Sequence, residues 1–267
     1  MSYQDLTLDF EGHVAVMTLR RPEKLNALGD VLHDEINAVC AEVDANDEVR
    51  ALIITGEGRG FSAGADLTPS RPDADPDALP SQSQRLDQYG WVGRQGKTVY
   101  QLNKPTIAAV NGVAVGAGMS LALACDLRVG SPESRFKTTF IERNLSPDSG
   151  MSFFLPRIIG YARAMDLIFT SRFVMGPEAL ELGLLNRLVE HDQLLDESLA
   201  LANQIAKWPP VAMRSAKRTV QRNLQVDLDT ALINESSGLQ FSGRAPHDAA
   251  ESRASFIEQR EPHFTGQ

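Results

Sequence analysis

The chain is short of the residues that mark several common chemistries. Two of its 267 residues are cysteine, Cys40 and Cys125, each inside an apolar stretch of helical spacing. That excludes a disulfide-stapled secreted scaffold and predicts buried free thiols in a reducing, cytoplasmic setting. The five histidines, His13, His33, His191, His247 and His263, are scattered. They show no metal-ligand spacing, and each reads as a surface or capping residue. Positive charge is scarce: 26 Lys and Arg stand against 35 Asp and Glu, a net charge of -9, with no basic block. This balance argues against a nucleic-acid or anionic-membrane partner, but leaves room for a local basic patch facing a phosphorylated ligand. No apolar run approaches the ~20 residues of a membrane helix. The opening MSYQDLTLDFEG lacks the basic start and apolar core of a secretory leader, so none is expected.

What is present is an ordinary globular composition, 42% hydrophobic and 23% charged, in a chain long enough for one large domain or two small ones. Residues 6–10 and 14–19 alternate around Glu11-Gly12 and predict a β-hairpin. Pro22 stops the second strand and opens the loop RPEKLNAL, Arg21 to Leu28. Asp30 is placed to cap a helix reaching about Asp44, with Val31, Leu32, Ile36, Val39, Cys40 and Val43 on one face. Residues 68–83, rich in proline and aspartate, read as a mobile loop forming a lid or pocket rim. Residues 84–103 read as helical, one wall of a pocket. From Asp192 the pattern is all helix, over 192–207, 210–223, 227–243 and 246–260. This shift places a boundary near residue 191, between a core of residues 1–191 and a helical region of residues 192–267. A tail that cannot bury both faces on its own core predicts packing on other subunits.

Two loops carry the chemistry. In KPTIAAVNGVAVGAGMSLALACD, Lys104 to Asp126, a buried strand breaks at Asn111-Gly112 and leads through Gly116-Ala117-Gly118 into a helix that is apolar nearly all round. Small residues at a strand-to-helix junction allow close approach to the backbone. The first N–H groups of the helix lack internal partners and suit an oxyanion. A second loop of the same kind lies in ALIITGEGRGFSAGADL, Ala51 to Leu67. Each alone reads as an ordinary tight turn; the pair is more informative, because an oxyanion hole needs more than one donor.

RPEKLNAL, FSAGADL and the Lys104–Asp126 stretch, in that order, resemble the crotonase superfamily, the enoyl-CoA hydratases and isomerases, over nearly the whole chain from about Leu6 to Phe264. The resemblance implies an α/β fold, a spiral of ββα turns with a C-terminal helical oligomerisation subdomain. It implies that the backbone N–H groups of Ala65 and Ala117 hold the carbonyl of an acyl-CoA thioester, Ala117 replacing the family's usual glycine. Lys24, Ala27, Leu28, Ala63, Asp66 and Leu67 would then line the CoA and acyl site, with Lys24 facing phosphate; without the resemblance, Lys24 reads as a solvated surface lysine. Asp66 would be structural or at the CoA edge. No separate cofactor or metal is implied, since coenzyme A is part of the substrate. The implied assembly is a homotrimer or a dimer of trimers, and the tail, with Phe264 as a candidate, would supply the far side of the CoA site.

Hydration of an enoyl thioester needs two carboxyls, whereas moving a double bond needs one group shuttling a proton. The positions where hydratases carry their glutamates fall, by the resemblance, on Ser120 and Phe140, which the same comparison leaves lining the substrate site. Glu142, two residues on, is turned roughly 200° away if helical and reads as a solvated charge. Asp148 in Leu145-Ser146-Pro147-Asp148-Ser149-Gly150 remains. By spacing alone it reads as a helix N-cap. The resemblance implies otherwise: several isomerases of the superfamily carry their catalytic acid at this loop position, and SPDSGMSFFLPRIIG is most similar to ring-epoxide isomerases. Phenylalanines and Met151 around it would desolvate the carboxyl and raise its basicity. The expectation is an enoyl-CoA isomerase. The alternatives are a hydratase using Asp148 with an unconventional partner, a covalent route with Asp148 as nucleophile, and an acyl-CoA binder without turnover.

Overall fold

A computed structural model describes residues 3–68, 79 and 81–267; most of the expected lid, residues 69–78 and 80, lies outside the described residues. The chain opens with the hairpin β1 (Leu6–Glu11) and β2 (Val14–Leu19), followed by α1 (Asp30–Ala45). β3 (Ala51–Gly56) and β4 (Gly60–Ser62) lead to α2 (Gln82–Leu86) and α3 (Gly90–Gln101). β5 (Thr106–Val110) and β6 (Val113–Val115) lead to α4 (Ala117–Ala124). β7 (Leu127–Gly130) and β8 (Arg135–Lys137) lead to α5 (Met151–Ile159) and α6 (Tyr161–Thr170). After β9 (Val174–Met175), α7 (Gly176–Leu182) and β10 (Arg187–Leu188) come α8 (Leu194–Ala206), α9 (Pro210–Asn223), α10 (Leu228–Ser242) and α11 (Pro246–Glu258).

The strands form two sheets, ordered β1-β2-β3-β5-β7-β10 and β4-β6-β8-β9. Three successive turns of the chain place one strand in the larger sheet, the next in the smaller, and then a helix. This is the ββα spiral, and the parallel pairings β3–β5–β7 and β4–β6–β8 follow from it. Parallel strands of this kind are buried on both faces, which β3 shows residue by residue. Ala51 and Ile53 join Val14, Val16, Ile107 and Ala109 against Leu194, Leu201 and Ala202 of α8. Leu52 and Ile54 face the opposite way, in one cluster with Leu32 and Ile36 of α1 and Met119 and Leu121 of α4. All eight residues of α4 are buried, matching its lack of a polar face.

Several local expectations are corrected. α1 is preceded by Gly29 as N-cap, with no side-chain capping bond, so Asp30 is its first residue rather than its cap. The helix expected over residues 84–103 is two helices, parted where Gly90 takes φ 62°. His33 is a core residue, its ring bonded to Gln95 and Asn37 at 3.2 Å each, and its pKa is lowered by burial. Cys40 and Cys125 are buried free thiols, both pushed up to about 12 by burial.

The helical tail divides in its packing. α8 covers a face of the larger sheet. α9 is tied to the N-terminal edge of β5, where Lys217 Nζ donates to Asp126 Oδ2 at 2.7 Å and to the Lys104 carbonyl at 2.9 Å. α10 contains no buried residue. The C-terminal residues return to the start of β3, where Arg50 donates to the Phe264 carbonyl at 2.8 Å.

Candidate active site

The strand ends bring the two glycine-bearing loops together. After β4, Gly64 takes φ 91°, and a Cβ there would lie 2.6 Å from the Val115 carbonyl oxygen and 3.3 Å from the Ala117 nitrogen. Only a residue without a side chain permits this approach. Ala117 is the first residue of α4, after Gly116 at φ 53°, so its N–H has no partner in the helix. Ala65 pairs with Leu28 in a short parallel bridge. There Leu28 N–H donates to the Gly64 carbonyl at 2.7 Å and Asp66 N–H to the Leu28 carbonyl at 3.0 Å. That register uses the groups on either side of the Ala65 N–H; among the described residues no backbone acceptor meets it. Two unpaired N–H groups on adjoining loops, one at a helix N-terminus, form a site for developing negative charge on a carbonyl oxygen.

A residue with no role assigned from sequence holds the first loop. Asn26, fully buried at φ 55°, donates through Nδ2 to the carbonyls of Gly60 at 2.7 Å and Glu57 at 3.0 Å, and accepts from Arg21 N–H at 2.8 Å. Ser62 Oγ donates to the Asn26 carbonyl at 2.8 Å, and Ala63 N–H to the Leu25 carbonyl at 2.9 Å. RPEKLNAL is thus stitched along the oxyanion loop. Its one legible signal was an asparagine, tolerant of a left-handed backbone, inside a proline-bounded loop.

Lys24 and Asp66 meet. Lys24 Nζ lies 3.0 Å from both Asp66 Oδ2 and Thr68 Oγ1, and Arg21 reaches the same carboxylate at 2.7 Å. Burial works to raise the Asp66 pKa, but hydrogen bonds from Thr68, Arg21 and Lys24 outweigh it and hold the carboxyl well below the usual range. Lys24 is thereby fixed at the rim with 41% of its side chain exposed. Leu67 is exposed, while Ala27 and Leu28 are buried, the latter as core.

The acids sort as follows. Ser120 is fully buried one turn into α4, and Phe140 is packed in the core. Glu142 sits on a short 3₁₀ turn, paired with Lys137 Nζ at 2.7 Å, and that partner lowers its pKa. Asp148 is partly buried. The helix after it, α5, has Gly150 as N-cap with no side-chain capping bond, so the Asp148 carboxylate is not its cap. Its pKa is raised by desolvation, with a smaller opposing effect from the Ser149 hydroxyl. Ser120 Oγ donates to the Asp148 carbonyl at 3.3 Å, which brings this turn against the first turn of α4, the turn that begins at Ala117. Ala65, Ala117 and Asp148 therefore come from three loops gathered at one helix end. Phe264 lies by Arg50, at the other end of the strands, away from this chain's own site. Among the described residues no group of three His, Cys, Asp or Glu is arranged to hold a metal, and no helix is long and apolar enough to cross a membrane.

A ββα spiral with its two glycine-bearing loops meeting at the N-terminus of a buried helix is the crotonase fold. The family model for enoyl-CoA hydratase/isomerase matches residues 9–267, and the chain belongs to that family. It is 35% identical to the short-chain-enoyl-CoA hydratase of Clostridium acetobutylicum, over 97% of each chain. It is 34% identical to the 1,2-epoxyphenylacetyl-CoA isomerase of Escherichia coli, over 96% of each. The crystal structure of an enoyl-CoA hydratase from Bacillus anthracis superposes with a TM-score of 0.88 at 31% identity, covering 99% of this chain and 100% of that one.

Proposed function

We propose that this chain is an enoyl-CoA isomerase. The Asp148 carboxylate takes a proton from C2 of a 3-enoyl thioester. The electrons move onto the thioester carbonyl, and the enolate oxygen is held by the N–H groups of Ala65 and Ala117. The same carboxyl returns the proton to C4, giving the 2-enoyl thioester, with no net gain or loss of atoms. The observation that carries the reading is a partly desolvated Asp148 beside α4; it is supported by the buried Ser120 and Phe140, which by the resemblance stand where a two-carboxylate hydratase would need its acids. Coenzyme A enters as part of the substrate, and no further cofactor is needed. Lys24 at the rim is the contact offered to a CoA phosphate. Homotrimer formation through the helical tail completes the proposal.

A hydratase is the second reading, favoured by the names of close relatives such as that of C. acetobutylicum. One preparation decides between them, assayed for loss of 3-hexenoyl-CoA, hydration of crotonyl-CoA and affinity for CoA alone. Isomerisation is expected to dominate. Asp148→Asn is expected to abolish it; turnover surviving within about tenfold would mean that less than ~1.4 kcal/mol of barrier depended on the carboxylate, and the assignment would fall. Hydration dominating, or CoA binding without turnover, would overturn the isomerase reading in favour of one of the other two.

A further inference from the structure

The turn that carries Asp148 is held in a conformation that serine rarely adopts. Ser149 has φ 53° and Gly150 φ 87°, two left-handed residues in succession. A left-handed non-glycine residue is strained, and such strain persists only where the surroundings over-determine it. Here they do. Ser149 is buried, and α3 crosses it through Gly96, where a Cβ would lie 2.6 Å from the Ser149 carbonyl oxygen. The Asp148 carbonyl accepts from Met151 N–H at 2.8 Å and from Ser120 Oγ at 3.3 Å. Within this frame Ser149 Oγ donates to Asp148 Oδ1 at 2.9 Å. That bond occupies one carboxylate oxygen. Among the described residues no hydrogen bond reaches the other, Oδ2.

The geometry points to Ser149 as a positioning residue for the proposed proton transfer: its hydroxyl pins Oδ1 of Asp148 and leaves Oδ2 as the oxygen that takes and returns the proton, while Ser120 secures the same turn from α4. This rests on the reading of Asp148 as the proton carrier. A single oxygen serving both C2 and C4 needs a carboxyl that does not rotate between the two transfers. A neutral hydroxyl can hold it without supplying a competing charge. The serine in place of a hydratase glutamate thereby gains a use, because a carboxylate at residue 120 would meet the Asp148 carbonyl where a donor is required.

Ser149→Ala and Ser149→Gly test this beside Asp148→Asn, with 3-hexenoyl-CoA as probe. Both serine variants lack the hydroxyl; alanine keeps the Cβ that serine already carries in the left-handed backbone, and glycine relieves that strain. If the hydroxyl positions the carboxylate, both lower kcat by about tenfold or more, leave KM within about twofold, and move the acid limb of the kcat/KM profile to higher pH. A merely structural role would leave Ser149→Gly with wild-type kcat and an unmoved acid limb, and that result overturns the inference. Thermal midpoints of the two variants show whether any loss follows stability. Asp148→Asn separates the levels. If it retains turnover, the proton-carrier reading fails and this inference with it. If it is inactive while both serine variants keep their limb, the positioning role alone fails.

Discussion

At the scale of single residues, the proposed chemistry depends on one partly buried carboxylate and on two amides that, among the described residues, meet no backbone acceptor. Asp148 and Asp66 have the same side chain and opposite fates. Arg21, Lys24 and Thr68 stabilise the charged form of Asp66 against its burial. Burial without a cationic partner destabilises the charged form of Asp148. The first is held as an anion that braces a loop; the second is made the more basic of the two, as the proposed proton transfer requires. The pH dependence follows in sign. A base must be deprotonated, and a raised pKa moves the loss of activity on acidification upward, so the acid limb of kcat/KM is expected above that of an ordinary aspartate. A limb at or below that of an ordinary aspartate, measured in the free enzyme, would mean that a different group carries the proton. Part of this was legible in the sequence: the apolar run after Asp148 foretold its raised basicity, while spacing alone marked it as a helix cap, the position that Gly150 holds. The part of Asn26 was hidden too, because a buried amide bridging two loops leaves no periodic trace.

At the scale of elements, the oxyanion hole is a matter of how closely one loop can approach one helix. Gly64 sets that distance, since a side chain there would strike the Val115 carbonyl oxygen. Gly64→Ala is expected to push the Ala65 and Ala117 amides apart and to lower kcat/KM by roughly a hundredfold, the cost of a displacement of about 1 Å at a reacting centre. The chain should still fold with a lowered thermal midpoint. Full activity in this variant would show that the two amides do not act on one oxygen. The elements themselves were largely readable, because their signals are local: the hairpin alternates, α4 is apolar all round, and α7 begins with Gly176-Pro177 and ends at Gly183. Boundaries failed locally, at Gly29 before Asp30 and at Gly90, and burial failed where it depended on partners distant in sequence. His33 carries no mark of being buried until α3 brings Gln95 against it. Likewise Leu194, Leu201 and Ala202 make a helical stripe whose target, a face of the larger sheet, no periodicity names.

At the scale of the whole molecule, the tail exposes apolar surface that a single chain has no means of covering. Leu239 on α10 is 74% exposed, and Phe256 and Ile257 on α11 are 84% and 77% exposed. Leu228 and Ile233 on α10 are exposed as well. Scattered singly, such residues need no explanation, but contiguous apolar surface beyond a few hundred Å² marks an interface. A stable subunit contact removes roughly 800 Å² from each partner, and the exposed apolar residues of α10 and α11 are the candidates to supply it. Sedimentation equilibrium is therefore expected to give a mass of three or six times the 29.2 kDa chain. Phe256→Asp together with Ile257→Asp would place charge in a desolvated contact and is expected to shift the mass toward one chain. Because α8 belongs to the core and α9 is tied to β5 by Lys217, the dissociated chain should keep its far-ultraviolet dichroism. An unchanged mass in the double variant would remove α11 from the interface. A single-chain mass for the unaltered protein would leave those faces without the partner they require, and the assembly proposal would fall with it.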